Sequence, residues 1–407
     1  MKFGVLAVAM ILLWTGGFRS KRAYAETLVS MLSSDKTILA NGERFFAIGI
    51  YYIPKSEEPF RELAETGFNL VRCSSGDELD GAHKYGLKAW VSLGDRLDLS
   101  KDTEKRKREI QARIEELKNH PALLIWESMD EPAWTWKKPW EQRASAEGLA
   151  QGHKLVKELD PKHLLWINHA PRNTWKTLAK FSQNVDIIAC DVYPVISQDI
   201  DADKTYAIMP NGKQTDLADQ TISCVGKYID KLKKAAGNNR ATWLVAQGFA
   251  WDNKQSPDNP RYPTYEETRF MAYHAIIHGV NGILYWGTHS MPQPSEHWSN
   301  LKRVVRELGD LSPVLASATI PNNVSMEYEE MGFSIDSGVE VMVKDNNGVI
   351  YMFAVNTTVG PAKVTFSNLP FPGDSLEVLS EERSLDISGG VFQDSFEPYE
   401  VHVYRFR

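Results

Sequence analysis

His120-Pro121-Ala122-Leu123-Leu124-Ile125-Trp126-Glu127-Ser128-Met129-Asp130-Glu131-Pro132 carries a short apolar run into a group of carboxylates and stops at a proline. The run has the length and composition of a strand, and its end is where a strand leaves the core. The last residues therefore face solvent at the rim of a sheet or barrel. A carboxylic acid held there against tryptophan keeps its proton near neutral pH, because loss of solvation penalises the charged form. That is the state a general acid for a sugar leaving group needs. The same residues also read as a solvated loop whose Asp130 and Glu131 cap the next helix. This segment alone leaves both readings open.

The pattern of a short apolar run with polar residues at its exit recurs. Candidate strands are Phe45–Tyr52, Phe68–Cys73, Leu87–Leu93, Leu123–Glu127, Leu164–Asn168, Ile187–Tyr193, Trp243–Gln247 and Gly282–Trp286. Helical patterning lies between most of them. Lys101 to Asn119 interleaves acids and bases at helical spacing, and Pro263 to Ile277 offers Thr264 as a cap before Glu266 and Glu267. Strands alternating with helices predict a parallel sheet covered by helices. Eight of them predict an α/β fold of the (β/α)8 TIM barrel type rather than an open sheet. No Gly-x-Gly-x-x-Gly follows a strand, which weighs against dinucleotide binding.

The composition changes near Ile320-Pro321. Beyond it the chain is all-β: Val339 to Val343, Val349 to Val355, Lys363 to Phe366 and Glu400 to Phe406, with Asp345-Asn346-Asn347-Gly348 as a hairpin turn. We expect a barrel over residues 26–318 and a small β-sandwich over 319–407, packed directly because no low-complexity linker separates them. The sandwich carries no tryptophan, so a packing role is expected for it.

Residues 1–25 read as a signal peptide. Lys2 is the charged start, Phe3 to Phe18 the apolar core, and Ala23-Tyr24-Ala25 the small-residue cleavage site. The run is shorter than the roughly 20 residues of a membrane span. Arg19 to Arg22 just before the cut keep an uncleaved anchor open as an alternative. Export, periplasmic or extracellular, is the expected location. The leader strips Lys2, Arg19, Lys21 and Arg22 and no acid, so the remainder is more acidic than the formal charge of −7 of the whole chain. Such a balance argues against nucleic acid or an anionic membrane as partner. The three cysteines, Cys73, Cys190 and Cys224, are odd in number and argue against a disulfide framework. No His/Cys cluster shows metal-ligand spacing, and neither metal nor cofactor is expected.

In a (β/α)8 barrel the site forms at the C-terminal ends of the strands. Those exits carry Tyr51 and Tyr52, Arg72, Asp95, Asp130 and Glu131, Asn168 and His169, Asp191 and Tyr193, Gln247 and Trp251, and Trp286 and His289. Trp134, Trp136 and Trp140 follow Pro132 and extend the aromatic supply. Any single tryptophan reads equally as core. Together, acids, amides, an arginine and indoles suit a carbohydrate, whose hydroxyls take hydrogen bonds and whose C–H faces stack on rings.

These residues resemble the clan A glycoside hydrolases over roughly Asp35 to Ala318. Asn41-Gly42-Glu43-Arg44-Phe45-Phe46 looks like that group's lead into its first strand, and Gly67-Phe68-Asn69-Leu70-Val71-Arg72 its second-strand motif. Asp130-Glu131-Pro132 resembles its Asn-Glu-Pro motif, Asp191-Val192-Tyr193-Pro194 its sixth-strand exit, and Gly282-Ile283-Leu284-Tyr285-Trp286 its eighth strand. The resemblance implies Glu131 as acid/base, an arginine at 72 beside the carboxylates and a tryptophan at 286 under the sugar.

Two departures alter what it implies. Asp130 stands where the group has asparagine, and Gln247 where it has the nucleophilic glutamate. A carboxamide is neither nucleophile nor base at neutral pH. The favoured expectation is an inverting hydrolase of a β-linked oligo- or polysaccharide. Glu131 is its acid and Asp191 its base, with Asp252 and Asp95 in reserve. Asp191 shares strand parity with Tyr193, and its strand lies two places from that of Glu131. Two strand spacings are roughly 9 Å, which suits inversion better than retention. Arg72, Asp95, Asp130, Trp134, His169, Tyr193, Gln247, Trp251 and Trp286 are the expected substrate-binding residues. The alternatives are Glu127 or Asp130 as nucleophile in a shifted register, and a carbohydrate-binding pseudo-glycosidase without turnover. An unrelated barrel aldolase or isomerase would want lysines at strand exits, and none is there.

Overall fold

The computed structural model describes residues 27–133, 141–171, 173–196, 221–251, 260–329, 338–369, 371 and 373–407. The expected leader, Trp134, Trp136, Trp140 and Asp252 lie outside the described residues.

Eight parallel strands close into a barrel: Ala47–Ile50, Leu70–Arg72, Lys88–Ser92, Leu123–Glu127, Leu164–His169, Ile187–Val192, Ala241–Gln247 and Gly282–Trp286. They are numbered first to eighth below. Each lies within the run that predicted it or overlaps it closely. Parallel strands are covered on both faces, so these segments read as continuous apolar runs. Among the described helices, Thr103–Leu117 and Tyr265–Ile277 match the two helical stretches singled out in the sequence. Thr264 caps the second, accepting from the Glu267 N–H while the Glu267 side chain accepts from the Thr264 N–H.

The barrel interior is filled by indoles. Trp90, Trp166 and Trp243, from the third, fifth and seventh strands, are fully buried. Their rings pack edge-on or tilted, with centroids 6.0 Å and 5.3 Å apart. The first and eighth strands answer with glycine. A Cβ on Gly49 would stand 2.3 Å from Leu284 Cδ2, and one on Gly282 would stand 2.7 Å from Trp243 Nε1. Three large rings with glycines beside them let the closed barrel reach native packing density. Tyr51 lies against Trp90 and Trp166 and forms the floor of whatever lies at the rim.

The first barrel strand is shorter than the expected Phe45–Tyr52, and its lead-in belongs to another sheet. Glu43–Phe45 joins Ser30–Leu32 and Ile38–Ala40 in a small antiparallel sheet, and only Ala47–Ile50 enters the barrel. The Ser30 hydroxyl donates to Leu124 O and accepts from the Leu164 N–H, which ties this sheet to the starts of the fourth and fifth strands.

The C-terminal part is two antiparallel sheets. One has six strands in the order Ala318–Ile320, Val339–Asn346, Val349–Asn356, Val401–Phe406, Ser375–Val378 and Arg383–Asp386. The other has three: Ser325–Tyr328, Ala362–Ser367 and Phe392–Phe396. Val343, Met352, Phe366, Phe392 and Tyr404 fill the space between them. Met342, Phe353, Val401 and Val403 instead join the barrel's apolar cluster. Arg269 of the helix Tyr265–Ile277 pairs with Glu307 and donates to Val401 O at 2.6 Å. Barrel and sandwich thus share one buried seam.

Candidate active site

Strand parity decides which exit residues look into the barrel. With Trp166 inside, Asn168 points inward two residues later, and His169 points out. His169 is fully buried and bonds the Ser182 hydroxyl at 2.7 Å. Burial drops its pKa to about 3. It is a neutral packing histidine turned away from the rim, and Asn168 takes the place expected of it.

Asn168 is 4% exposed. Its Nδ2 donates to Asp130 Oδ1 at 2.9 Å and lies 3.4 Å from Asp191 Oδ1. One amide therefore reaches a carboxylate from the fourth-strand exit and one from the sixth. The Asn168 carbonyl also accepts the Glu131 N–H at 3.1 Å. That bond fixes Glu131 in the left-handed region, at φ +44°, where a side chain costs about 1–2 kcal/mol. Strain of this kind collects at functional sites. Asp130 is open to solvent on one side and crowded by protein around its carboxyl. The crowding pushes its pKa above the usual carboxylate range, against the Asn168 hydrogen bond and the charges of Arg143 and Arg72.

Glu127 ends the fourth strand and is 2% exposed. Burial raises its pKa to about 7, although Arg72 Nε lies 3.3 Å from Glu127 Oε2. The ion pair is too poorly aligned to count as a hydrogen bond, so burial wins. Tyr51 is crowded by Glu127, Asp130 and Asp191, and burial with these charges lifts its phenol well above 10. Tyr51 Oη, Asn168 Oδ1 and Glu127 Oε2 are buried with no hydrogen-bond partner among the described residues. Clustered unsatisfied polar atoms call for an explanation, and a polar ligand supplies one.

The Glu127 shift has a stability consequence. The native state holds this proton up to about pH 7, whereas the unfolded chain releases it near 4.5. The native state binds more protons in that window, so stability falls as pH rises through it, by at most about 3 kcal/mol from this group. Urea unfolding near pH 5 and near pH 8 is expected to show this loss in the wild type and to lack it in Glu127→Gln. An unchanged slope in the variant would refute the assignment.

Across the mouth stands an aromatic wall. Tyr193 and Trp286 stack with centroids 5.6 Å apart, and Phe249 and Trp251 close around Tyr193. The Trp251 indole donates to Tyr193 O at 3.0 Å. Trp251 and Trp286 keep part of their surface open, while Tyr193 is 8% exposed. Asp95 is exposed on the turn Gly94–Leu97, at the edge of a cavity of about 490 Å³ shared with Arg96, Lys105 and Arg106.

Gln247 is 1% exposed and its amide is fully used. Oε1 accepts the Val195 N–H at 2.9 Å, and Nε2 donates to Val195 O at 2.8 Å and to Phe249 O at 3.0 Å. The residue clamps the sixth-strand exit to the seventh and offers nothing to a sugar. Gln247→Glu would replace two donors with a buried anion facing two carbonyls. It is expected to lower stability by about 2–4 kcal/mol, read by thermal unfolding, and to create no nucleophile. A variant as stable as the wild type would sink the clamp.

No protein-family model matches the chain, and no curated protein matches it. Solved structures do. A glycoside hydrolase aligns at TM-score 0.59 and 14% identity, over 93% of this chain and 96% of its own. A glycoside hydrolase family 5 protein from Bacteroides vulgatus aligns at TM-score 0.57 and 14% identity, over 93% and 92%. The fold is one that solved glycoside hydrolases share. An α-amylase from Geobacillus thermoleovorans, complexed with acarbose, shares it at TM-score 0.54 and 11% identity, over 93% and 99%. The likeness is one of fold, in the barrel and its appended sheets.

Proposed function

We propose that this chain is a glycoside hydrolase acting on a β-linked oligo- or polysaccharide by inversion. Glu131 gives its proton to the glycosidic oxygen as the bond to the anomeric carbon breaks. Asp191 takes a proton from the water that attacks the opposite face of the sugar. Asp130 and Asn168 hold the polar side of the sugar ring and fix Asp191. Arg72 balances the negative charge gathered around Glu127, and Trp286 with Tyr193 and Trp251 supplies the stacking surface. The observation that carries the reading is the Asn168 amide between Asp130 and Asp191, on a rim that opens against an aromatic wall. The β linkage rests on the motif resemblance, and inversion on the engagement of Gln247, which leaves the seventh strand without a nucleophile.

Gln247 also favours a second reading, a barrel that binds sugar without turnover. One experiment separates them. The chain is incubated with a panel of plant, algal and microbial polysaccharides, reducing ends are counted, and product anomers are followed by NMR. Inverted product supports the two-carboxylate scheme. Retained product means that a nucleophile exists elsewhere on the rim. Binding with no turnover on any substrate supports the non-catalytic reading.

A further inference from the structure

His274 and His278 stand one helical turn apart at the end of the helix Tyr265–Ile277, so both rings leave the same face. They meet Glu340 of the sandwich strand Val339–Asn346. His274 Nε2 lies 3.1 Å and His278 Nε2 2.8 Å from the same oxygen, Glu340 Oε2. The three potential ligand atoms all fall within 4.8 Å of one another. His278 Nδ1 lies 2.9 Å from Asp230 Oδ1 on a third element, the helix Cys224–Ala236. That helix also packs its backbone close against the two rings, where only a glycine fits. A Cβ on its Gly226 would stand 2.4 Å from His278 Nε2 and 2.6 Å from His274 Nε2. The His274 side chain is 2% exposed, that of His278 17% and that of Glu340 39%, so the cluster is buried on one side and open to solvent at the carboxylate.

A hydrogen-bond account asks both imidazoles to donate to one oxygen, and His278 to donate from both of its nitrogens. A bound cation needs neither. If His278 gives its Nδ1–H to Asp230, its Nε2 lone pair faces the gap, which is how an outer carboxylate orients a metal-ligating histidine. Ligand atoms around a tetrahedral zinc ion stand about 3.3 Å apart, given Zn–N bonds near 2.0 Å. The observed separations from Glu340 are close to that. Two imidazoles and one carboxylate suit zinc and its transition-metal neighbours rather than calcium or magnesium. We propose that His274, His278 and Glu340 bind a divalent ion of the zinc class that fastens the barrel to the sandwich.

Only the two histidines are close in the sequence, and the third ligand lies 62 residues beyond His278, so no His/Cys cluster marks the set. The helix ends where the chain turns through Gly279 into the start of the eighth strand, opposite the rim that carries Asp130 and Asp191. The ion is therefore structural, and turnover at the rim is expected to be indifferent to it at room temperature.

The test uses the full chain without an affinity tag, stripped with EDTA and titrated with Zn²⁺ against a chromogenic chelator. One ion per chain is expected, at or below micromolar Kd, with the thermal midpoint rising by several degrees. Co²⁺ in its place is expected to give the visible absorption of a tetrahedral site. His278→Gln and Glu340→Gln should lose the stoichiometric ion and the rise in midpoint that Zn²⁺ brings, each measured against the variant's own metal-free midpoint, and Asp230→Asn should weaken binding about 10-fold. Binding in those variants equal to wild type would overturn the proposal. So would a wild type that takes up no ion and shows no cobalt band, a result that stands even if the ligand variants fail to fold.

Discussion

Glu131→Gln is expected to lower kcat on a natural polysaccharide by about 10³- to 10⁴-fold, with substrate binding little changed. The amide keeps the shape of the side chain and the hydrogen bond from the Glu131 N–H to Asn168 O, so the left-handed backbone persists. What disappears is the proton for the leaving oxygen. The loss should therefore shrink on a nitrophenyl glycoside, whose leaving group departs without protonation. Rates on both substrates, with binding measured by calorimetry, check the assignment. Full activity on the polysaccharide would refute it, and an equal loss on both substrates would mean that the substitution damages more than proton donation.

Asp191→Asn is expected to cost about 10³-fold or more in kcat on both substrates, because the attacking water then lacks a base. Asparagine still accepts a hydrogen bond from Asn168, so the rim should keep its form. Azide needs no base, and in the variant it is expected to restore turnover by giving a glycosyl azide of inverted configuration. Normal hydrolysis by Asp191→Asn would move the role to Asp252 or Asp95. A glycosyl azide of retained configuration would overturn inversion.

The barrel was legible because its signals are local. Eight apolar runs of strand length are separated by helical periodicity, and each exit is marked by a change to polar residues. The second face of each strand was not legible. Leu164–His169 is buried along its whole length, so apolar content does not say which alternate residues look inward. That is why His169 stood in the expected site and Asn168 did not. Trp166 fixes the parity, because it packs against Trp90 and Trp243 in the interior, but the like-placed Trp126 faces the helix side and donates to Asp160, so a mid-strand aromatic alone does not tell the two faces apart. The departure at Gln247 was visible as a missing acid. Its role as a clamp was not, because its partners are backbone groups of Val195, 52 residues earlier, and of Phe249. In the sandwich, Ser375–Val378 and Arg383–Asp386 were not legible because each has only 4 residues, too few for their alternation to stand out from a turn. Glu340 looked like one surface acid among many, and only the fold brings it to the histidines.

The burial of the barrel indoles, on both faces of its strands, has an optical consequence. Trp90, Trp126, Trp166 and Trp243 are fully buried, and such rings emit at the blue end of the tryptophan band, beyond the reach of iodide. Trp251 and Trp286 meet solvent at the mouth, so they emit further to the red and are open to quenching. A sugar settling on Trp286 would then shield part of the red emission, with half-buried Trp175 away from the mouth still open to quenching, and leave the blue untouched, whereas loss of the barrel would shift the blue band itself. One spectrum, read at its two edges, separates an occupied mouth from a failing core.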